Sequence, residues 1–178
     1  MILFKNEKIA FALPPKTGTT TAKVFLFNSK KCVELMDRHT LPTSVFEFYP
    51  DIAAYKIYCF LRNPITKFLS AVAWVKGISK DPDITTRSYE YLINKHELVF
   101  RPQSVYFKKL NVTALDFDNY EIELRRATEG LGLEDFPIVH ANKAPVEHDP
   151  VNDELVSLVR QRYVEDYALA KDRLGKEY

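Results

Sequence analysis

The sequence predicts an α/β sandwich, with a small, mainly parallel central sheet flanked by helices. Three observations predict it. Apolar runs at 9–13, 55–61 and 114–118 have the length of short buried strands. Each is followed by a segment whose apolar residues recur at helical spacing. Proline and glycine are scattered between these segments rather than gathered into a linker, so the 178 residues read as one domain spanning 1–178.

The first strand, 9–13, stops at Pro14-Pro15. Thr19 or Thr20 can cap the helix that follows, in which Ala22, Val24, Phe25, Leu26 and Phe27 are apolar nearly all round, as burial against a sheet requires. The second strand, 55–61, is rich in aromatic and β-branched residues and ends at Arg62. Pro64 then opens a helix whose buried face is Ile65, Phe68, Leu69 and Val72, with Thr66, Lys67 and Ser70 on another face. The third strand, 114–118, precedes a helix striped by Tyr120, Leu124, Ala127 and Leu131, which Gly130 and Gly132 terminate. A last packing helix starts at Asp153-Glu154 and carries the stripe Leu155, Leu158, Val159, Tyr163 and Tyr167. In parallel sheets of this type ligands bind beyond the carboxyl ends of the strands, where Lys16 and Arg62 both fall.

Lysine plus arginine total 25 against 24 aspartate plus glutamate. No overall field draws such a chain to nucleic acid or anionic lipid, so anion binding has to be local. Cys32 and Cys59 lack metal-site spacing and cannot build a disulfide framework, and Cys59 reads as core. No run approaches the roughly 20 apolar residues of a membrane helix, and 1–8 lack the long apolar stretch of a secretory signal. The expectation is a cytoplasmic protein with no membrane partner.

The segment Phe11-Ala-Leu-Pro-Pro-Lys-Thr-Gly-Thr-Thr-Thr21 has the parts of a phosphate cradle: a cation at Lys16, a backbone pivot at Gly18, hydroxyls at Thr17, Thr19, Thr20 and Thr21, and the free N–H groups of a helix start. A Walker A loop places its lysine after the second glycine, whereas Lys16 precedes the glycine here. Pro15-Lys-Thr-Gly-Thr-Thr20 instead resembles the 5′-phosphosulfate loop of the sulfotransferases that use 3′-phosphoadenosine 5′-phosphosulfate (PAPS). Leu61-Arg-Asn-Pro-Ile-Thr-Lys-Phe-Leu-Ser-Ala71 resembles the same family's 3′-phosphate motif, with arginine, proline and serine at the family spacing. Independently of the family, an arginine at a strand end and a serine two turns into the next helix can converge on one anion.

The resemblance implies a short form of the glycan-type sulfotransferase branch, with a P-loop-like three-layer sandwich as its fold and a reduced acceptor-recognition region. It implies that Arg62 and Ser70 read the 3′-phosphate that separates PAPS from ATP. It further implies that Lys16 contacts the 5′-phosphate and the bridging oxygen, that Thr17, Gly18, Thr19, Thr20 and Thr21 supply backbone and hydroxyl donors, and that no metal takes part. The reaction would move a sulfuryl group to a hydroxyl on a carbohydrate, leaving 3′-phosphoadenosine 5′-phosphate (PAP). His39 is the candidate base, because relatives carry a histidine after the first helix and the ordinary imidazole pKa suits proton abstraction. Glu34, Asp37 and Glu47 are alternatives from the same region.

Two further matches lie downstream. Arg101-Pro-Gln103 resembles a Pro-Gln element of the glycan-type branch, facing acceptor or nucleotide, and reads equally as a helix-starting turn. His140-Ala-Asn-Lys-Ala144 resembles a late loop in which a basic residue, here Lys143, lies near the cofactor. Trp74, Tyr89, Tyr91 and Tyr106 read as packing residues ahead of an acceptor groove. The competing readings are an ATP-dependent P-loop kinase, with Leu115-Asp-Phe-Asp118 as its Walker-B-like strand end, and a non-catalytic module that binds PAP or glycan.

Overall fold

The computed structural model describes residues 1–37, 39–140 and 148–178. It is an α/β structure built on a five-stranded mixed sheet, with seven α-helices among the described residues. Strands β1 (Ile2–Phe4) and β2 (Ile9–Ala12) form an antiparallel hairpin, and helix α1 (Thr19–Phe27) follows. Next come β3 (Val33–Glu34), α2 (Pro42–Phe48), β4 (Lys56–Leu61), α3 (Pro64–Ile78) and α4 (Tyr89–Lys95). Strand β5 (Val112–Asp116) and helices α5 (Tyr120–Ala127), α6 (Asp153–Arg162) and α7 (Val164–Leu174) complete the order.

The strand order is β3-β1-β2-β4-β5. The three expected strands form the parallel part, β2-β4-β5, with Ala12 opposite Cys59 and Leu61 opposite Asp116. The sheet is mixed rather than mainly parallel, because β1 and β3 add two antiparallel pairings that the sequence reading missed. β5 lies two residues earlier than expected, and Phe117 belongs to a 3₁₀ turn, Phe117–Asn119.

Alternation along the strands divides the core. Ile2, Phe4, Phe11, Tyr58, Phe60 and Leu115 pack with α1 and α5 on one face. Leu3, Ala10, Ala12, Ile57, Cys59 and Val112 point the other way, against Val45 of α2, Ile52 and Tyr106. A third apolar cluster joins α3, α4 and α6 through Phe68, Val72, Leu92, Phe100, Leu155 and Val159. Cys59 is core, as expected, and both cysteines are free.

Two helical expectations change. The last helix is two, α6 and α7, broken at Tyr163 with φ −113° and ψ 30°. The α5 helix ends at Ala127, yet Leu131 is still buried after the break. No helix among the described residues is long and apolar enough to cross a membrane.

Candidate functional site

The carboxyl ends of β2 and β4 open into a cavity of about 490 Å³. That volume lies within the range of roughly 300–1,000 Å³ common for small-molecule sites. Its charged wall is Lys16 and Arg62. Gly18, Thr19, Thr20 and Thr21 at the start of α1 and Ser70 of α3 supply a polar wall, and Asp37, His39 and His140 lie at another side. Trp74, Leu98, Val99 and Phe117 provide the apolar surface.

The loop after β2 is shaped by its own residues. The hydroxyls of Thr17 and Thr19 both donate to the Pro14 carbonyl, at 2.8 and 2.7 Å. Those protons are therefore committed to the loop rather than directed at a ligand, and Thr17, buried, does not line the cavity. The backbone turns through left-handed conformations at Lys16, φ +64°, and Gly18, φ +72°. A lysine in that region is strained by order 1–3 kcal/mol, a cost that concentrates at functional sites. Gly18 is required for a second reason: a Cβ there would run into the Tyr120 ring, whose hydroxyl donates to the Gly18 carbonyl at 2.8 Å. Tyr120 is itself held by stacking on Phe60, with centroids 4.3 Å apart.

Gly18, not Thr19 or Thr20, is the N-cap of α1, and it supplies no side-chain cap. The positive end of this nine-residue helix lines the cavity with no side-chain cap from Gly18, an arrangement that favours an anion.

Arg62 continues β4 by one residue before Asn63 caps α3, its side chain accepting from Ile65 and Thr66 N–H groups at 2.8 and 3.2 Å. The guanidinium donates through Nε to Thr66 Oγ1 at 3.1 Å and through Nη1 to the Lys16 carbonyl at 3.0 Å. It also lies over the Phe117 ring at 4.6 Å. The remaining guanidinium N–H groups have no protein partner among the described residues. The Lys16 ammonium lies over the Trp74 ring, 5.5 Å from its centroid.

Neither Lys16 nor Arg62 has a carboxylate partner within salt-bridge distance among the described residues. Burial, and secondarily the Arg62 charge, lower the Lys16 pKa to about 8. Burial also lowers Arg62 to about 10, with Asp118 opposing. Two partly desolvated cations with no carboxylate in salt-bridge distance among the described residues are held apart from their preferred surroundings, and an anion between them relieves both penalties. Ser70 is 8 % exposed, and its hydroxyl has no protein partner among the described residues.

His39 is half-buried on the cavity wall. Its Nδ1 lies 2.8 Å from the Leu13 carbonyl, which can only accept, so the neutral ring carries its proton on Nδ1 and Nε2 is its basic nitrogen. The backbone around it is fixed at both ends: His39 N–H donates to Asp37 Oδ1 at 2.8 Å, and the buried Tyr106 hydroxyl donates to the His39 carbonyl at 2.8 Å.

Of the alternative bases, Asp37 lines the cavity, whereas Glu34 pairs with Lys23 and Glu47 is exposed on α2 away from it. Lys143 lies outside the described residues. The acidic strand end of the kinase reading faces elsewhere: Asp116 and Asp118 both pair with Lys176, at 2.8 and 2.6 Å, and neither lines the cavity. Trp74 is a cavity residue, but Tyr89, Tyr91 and Tyr106 are not.

Lys67, expected on a face apart from the apolar stripe of α3, is fully buried and donates to the Arg101 carbonyl at 2.8 Å. Of the two readings of Arg101-Pro-Gln103, the helix-starting turn is the one seen: Gln103 is the N-cap of a 3₁₀ helix, Ser104–Phe107, lies outside the cavity lining, and is fully buried and bonded to the Arg62 backbone. The signal available for Gln103 was its place after Pro102, which reads as a local turn and says nothing of a partner 41 residues away.

No family model, curated protein or solved structure matches this chain.

Proposed function

We propose that this chain is a sulfotransferase that moves a sulfuryl group from PAPS to a hydroxyl of a carbohydrate acceptor. The observation that carries the reading is the convergence of Lys16, Arg62, Ser70, the uncapped start of α1 and His39 on one cavity. Two cations without carboxylate partners among the described residues and a helix N-terminus suit a ligand with two phosphates, and the cavity volume suits a nucleotide. Helices on both sheet faces and a phosphate loop after a parallel strand support a P-loop-like three-layer sandwich as the fold. Two free cysteines fit the reducing cytoplasm.

When bound, PAPS supplies an activated sulfuryl group attached through oxygen to a phosphate leaving group. Arg62 and Ser70 hold the 3′-phosphate, the guanidinium by paired N–H donors and the serine by its hydroxyl. The first turn of α1 holds the 5′-phosphate with its backbone N–H groups. Lys16 stabilises the negative charge that grows on the departing oxygen, a contribution larger in the transition state than in the ground state. His39 takes the acceptor hydroxyl proton on Nε2 while Leu13 keeps the ring oriented from Nδ1. Trp74 offers a flat apolar face beside Lys16, which suits the ring of a sugar.

The test is transfer of radiolabelled sulfate from PAPS to a panel of carbohydrate and other hydroxyl acceptors, with Lys16→Ala as control. The reading expects transfer by the wild type and loss in the variant. Intact PAP binding with no transfer to any acceptor would reduce the chain to a binding module and overturn the enzymatic reading.

A further inference from the structure

The end of β4 is held by a segment that does not line the cavity. Residues 100–104 have their backbone groups tied one after another to side chains from other elements. The Phe100 carbonyl accepts from the Tyr163 hydroxyl at 2.7 Å, and the Arg101 carbonyl from Lys67 Nζ at 2.8 Å. Gln103 and Ser104 N–H groups donate to the two oxygens of Asp166, at 2.9 and 2.8 Å. Lys67, Gln103 and Asp166 are each fully buried.

What this segment presents is the Gln103 side-chain amide. Its Oε1 accepts from the Arg62 N–H at 2.9 Å, and its Nε2 donates to the Arg62 carbonyl at 2.8 Å. A primary amide carries donor and acceptor side by side, as a neighbouring strand does. Gln103 therefore extends the ladder by one residue past Leu61, where pairing with β5 stops at Asp116. With both backbone groups fixed, the direction in which Arg62 leaves the strand is fixed as well, and the guanidinium meets Thr66 and the Lys16 carbonyl. Asp166 sets the amide orientation through a further, longer contact from Nε2 at 3.4 Å. Burying an ammonium and a carboxylate to build this support is costly relative to apolar packing, so geometry rather than stability is its benefit.

We infer that Gln103, oriented by Asp166, is a positioning residue that sets selectivity for a ribose 3′-phosphate by fixing the Arg62 backbone. The inference rests on the reading in which Arg62 takes that phosphate.

The test compares PAP and ADP affinities by titration calorimetry for the full chain and for Gln103→Met, which keeps the side-chain length and removes the amide. The expected result is a loss of roughly tenfold for PAP with ADP changed less than about twofold. Equal losses for both ligands assign Gln103 a merely structural role and overturn the inference, as does an unchanged PAP-to-ADP ratio; in both cases the sulfotransferase reading stands. A wild type without preference for PAP overturns the reading and the inference together. Should Gln103→Met fail to fold, the wild type decides by nuclear magnetic resonance. PAP is expected to shift the Gln103 side-chain amide signals where ADP does not, and equal shifts overturn the inference.

Discussion

The two cationic halves of the cavity are built in opposite ways. The loop at 14–21 shapes itself, with Thr17 and Thr19 both bonding Pro14 within five residues. Arg62 depends on Gln103, 41 residues away, and through it on Asp166, 63 residues further along the chain. The difference teaches that, on the proposed reading, one ligand group would be gripped by a locally encoded turn and the other by an assembled interior. The halves meet in one bond, Arg62 Nη1 to the Lys16 carbonyl, so a disturbance of either can be read at the other.

The comparison yields predictions that separate the halves. His39→Ala removes the proposed base and leaves the Lys16 and Arg62 side chains in place, so turnover is expected to fall by about 10²–10⁴ while PAP affinity holds, checked by sulfate transfer alongside calorimetry. Arg62→Ala breaks the assembled half, along with its one bond to the Lys16 carbonyl. PAP affinity is expected to drop by roughly 10- to 100-fold, from the loss of charge-assisted bonds, with ADP affinity nearly unchanged. Gly18→Ala breaks only the loop. The positive φ and the Tyr120 ring leave no room for the methyl group, so stability falls by about 1–3 kcal/mol in urea denaturation, and PAP and ADP affinities weaken together.

The smallest effect is a pH dependence. Lys16 titrates near 8 in the free protein, and a bound anion raises that value, so binding takes up a proton at higher pH. PAP affinity is therefore constant well below pH 8 and declines as the pH rises through about 8. Lys16→Arg, protonated over that whole range, flattens the decline in calorimetry from pH 6.5 to 9.

The same contrast governs what was legible in the sequence. The loop and the ends of β2 and β4 were readable because Pro14-Pro15, Gly18 and Pro64 punctuate apolar runs and their partners are close by. Gly18 as the cap of α1 was not, since threonine is the ordinary choice and the reason for glycine is a ring, Tyr120, a hundred residues later. Strand β1 escaped notice because three residues are too few to show alternation, and its hairpin turns at Lys8, φ +53°, without a glycine. The break between α6 and α7 preserves the apolar phase through Tyr163, so periodicity does not register it. The burial of Lys67 and Asp166 was not legible, because charged residues are almost never fully buried unless paired. Their partners, Arg101 and Gln103, come from a different part of the chain.

The central claim is that Arg62 and Ser70 form a 3′-phosphate subsite beside the Lys16 loop. The most direct measurement is the affinity of the wild-type chain for PAP and for ADP, without added magnesium, by titration calorimetry. The account predicts PAP binding at least roughly tenfold tighter, the worth of one added charge-assisted contact. Equal affinities, or tighter binding of ADP, would contradict it.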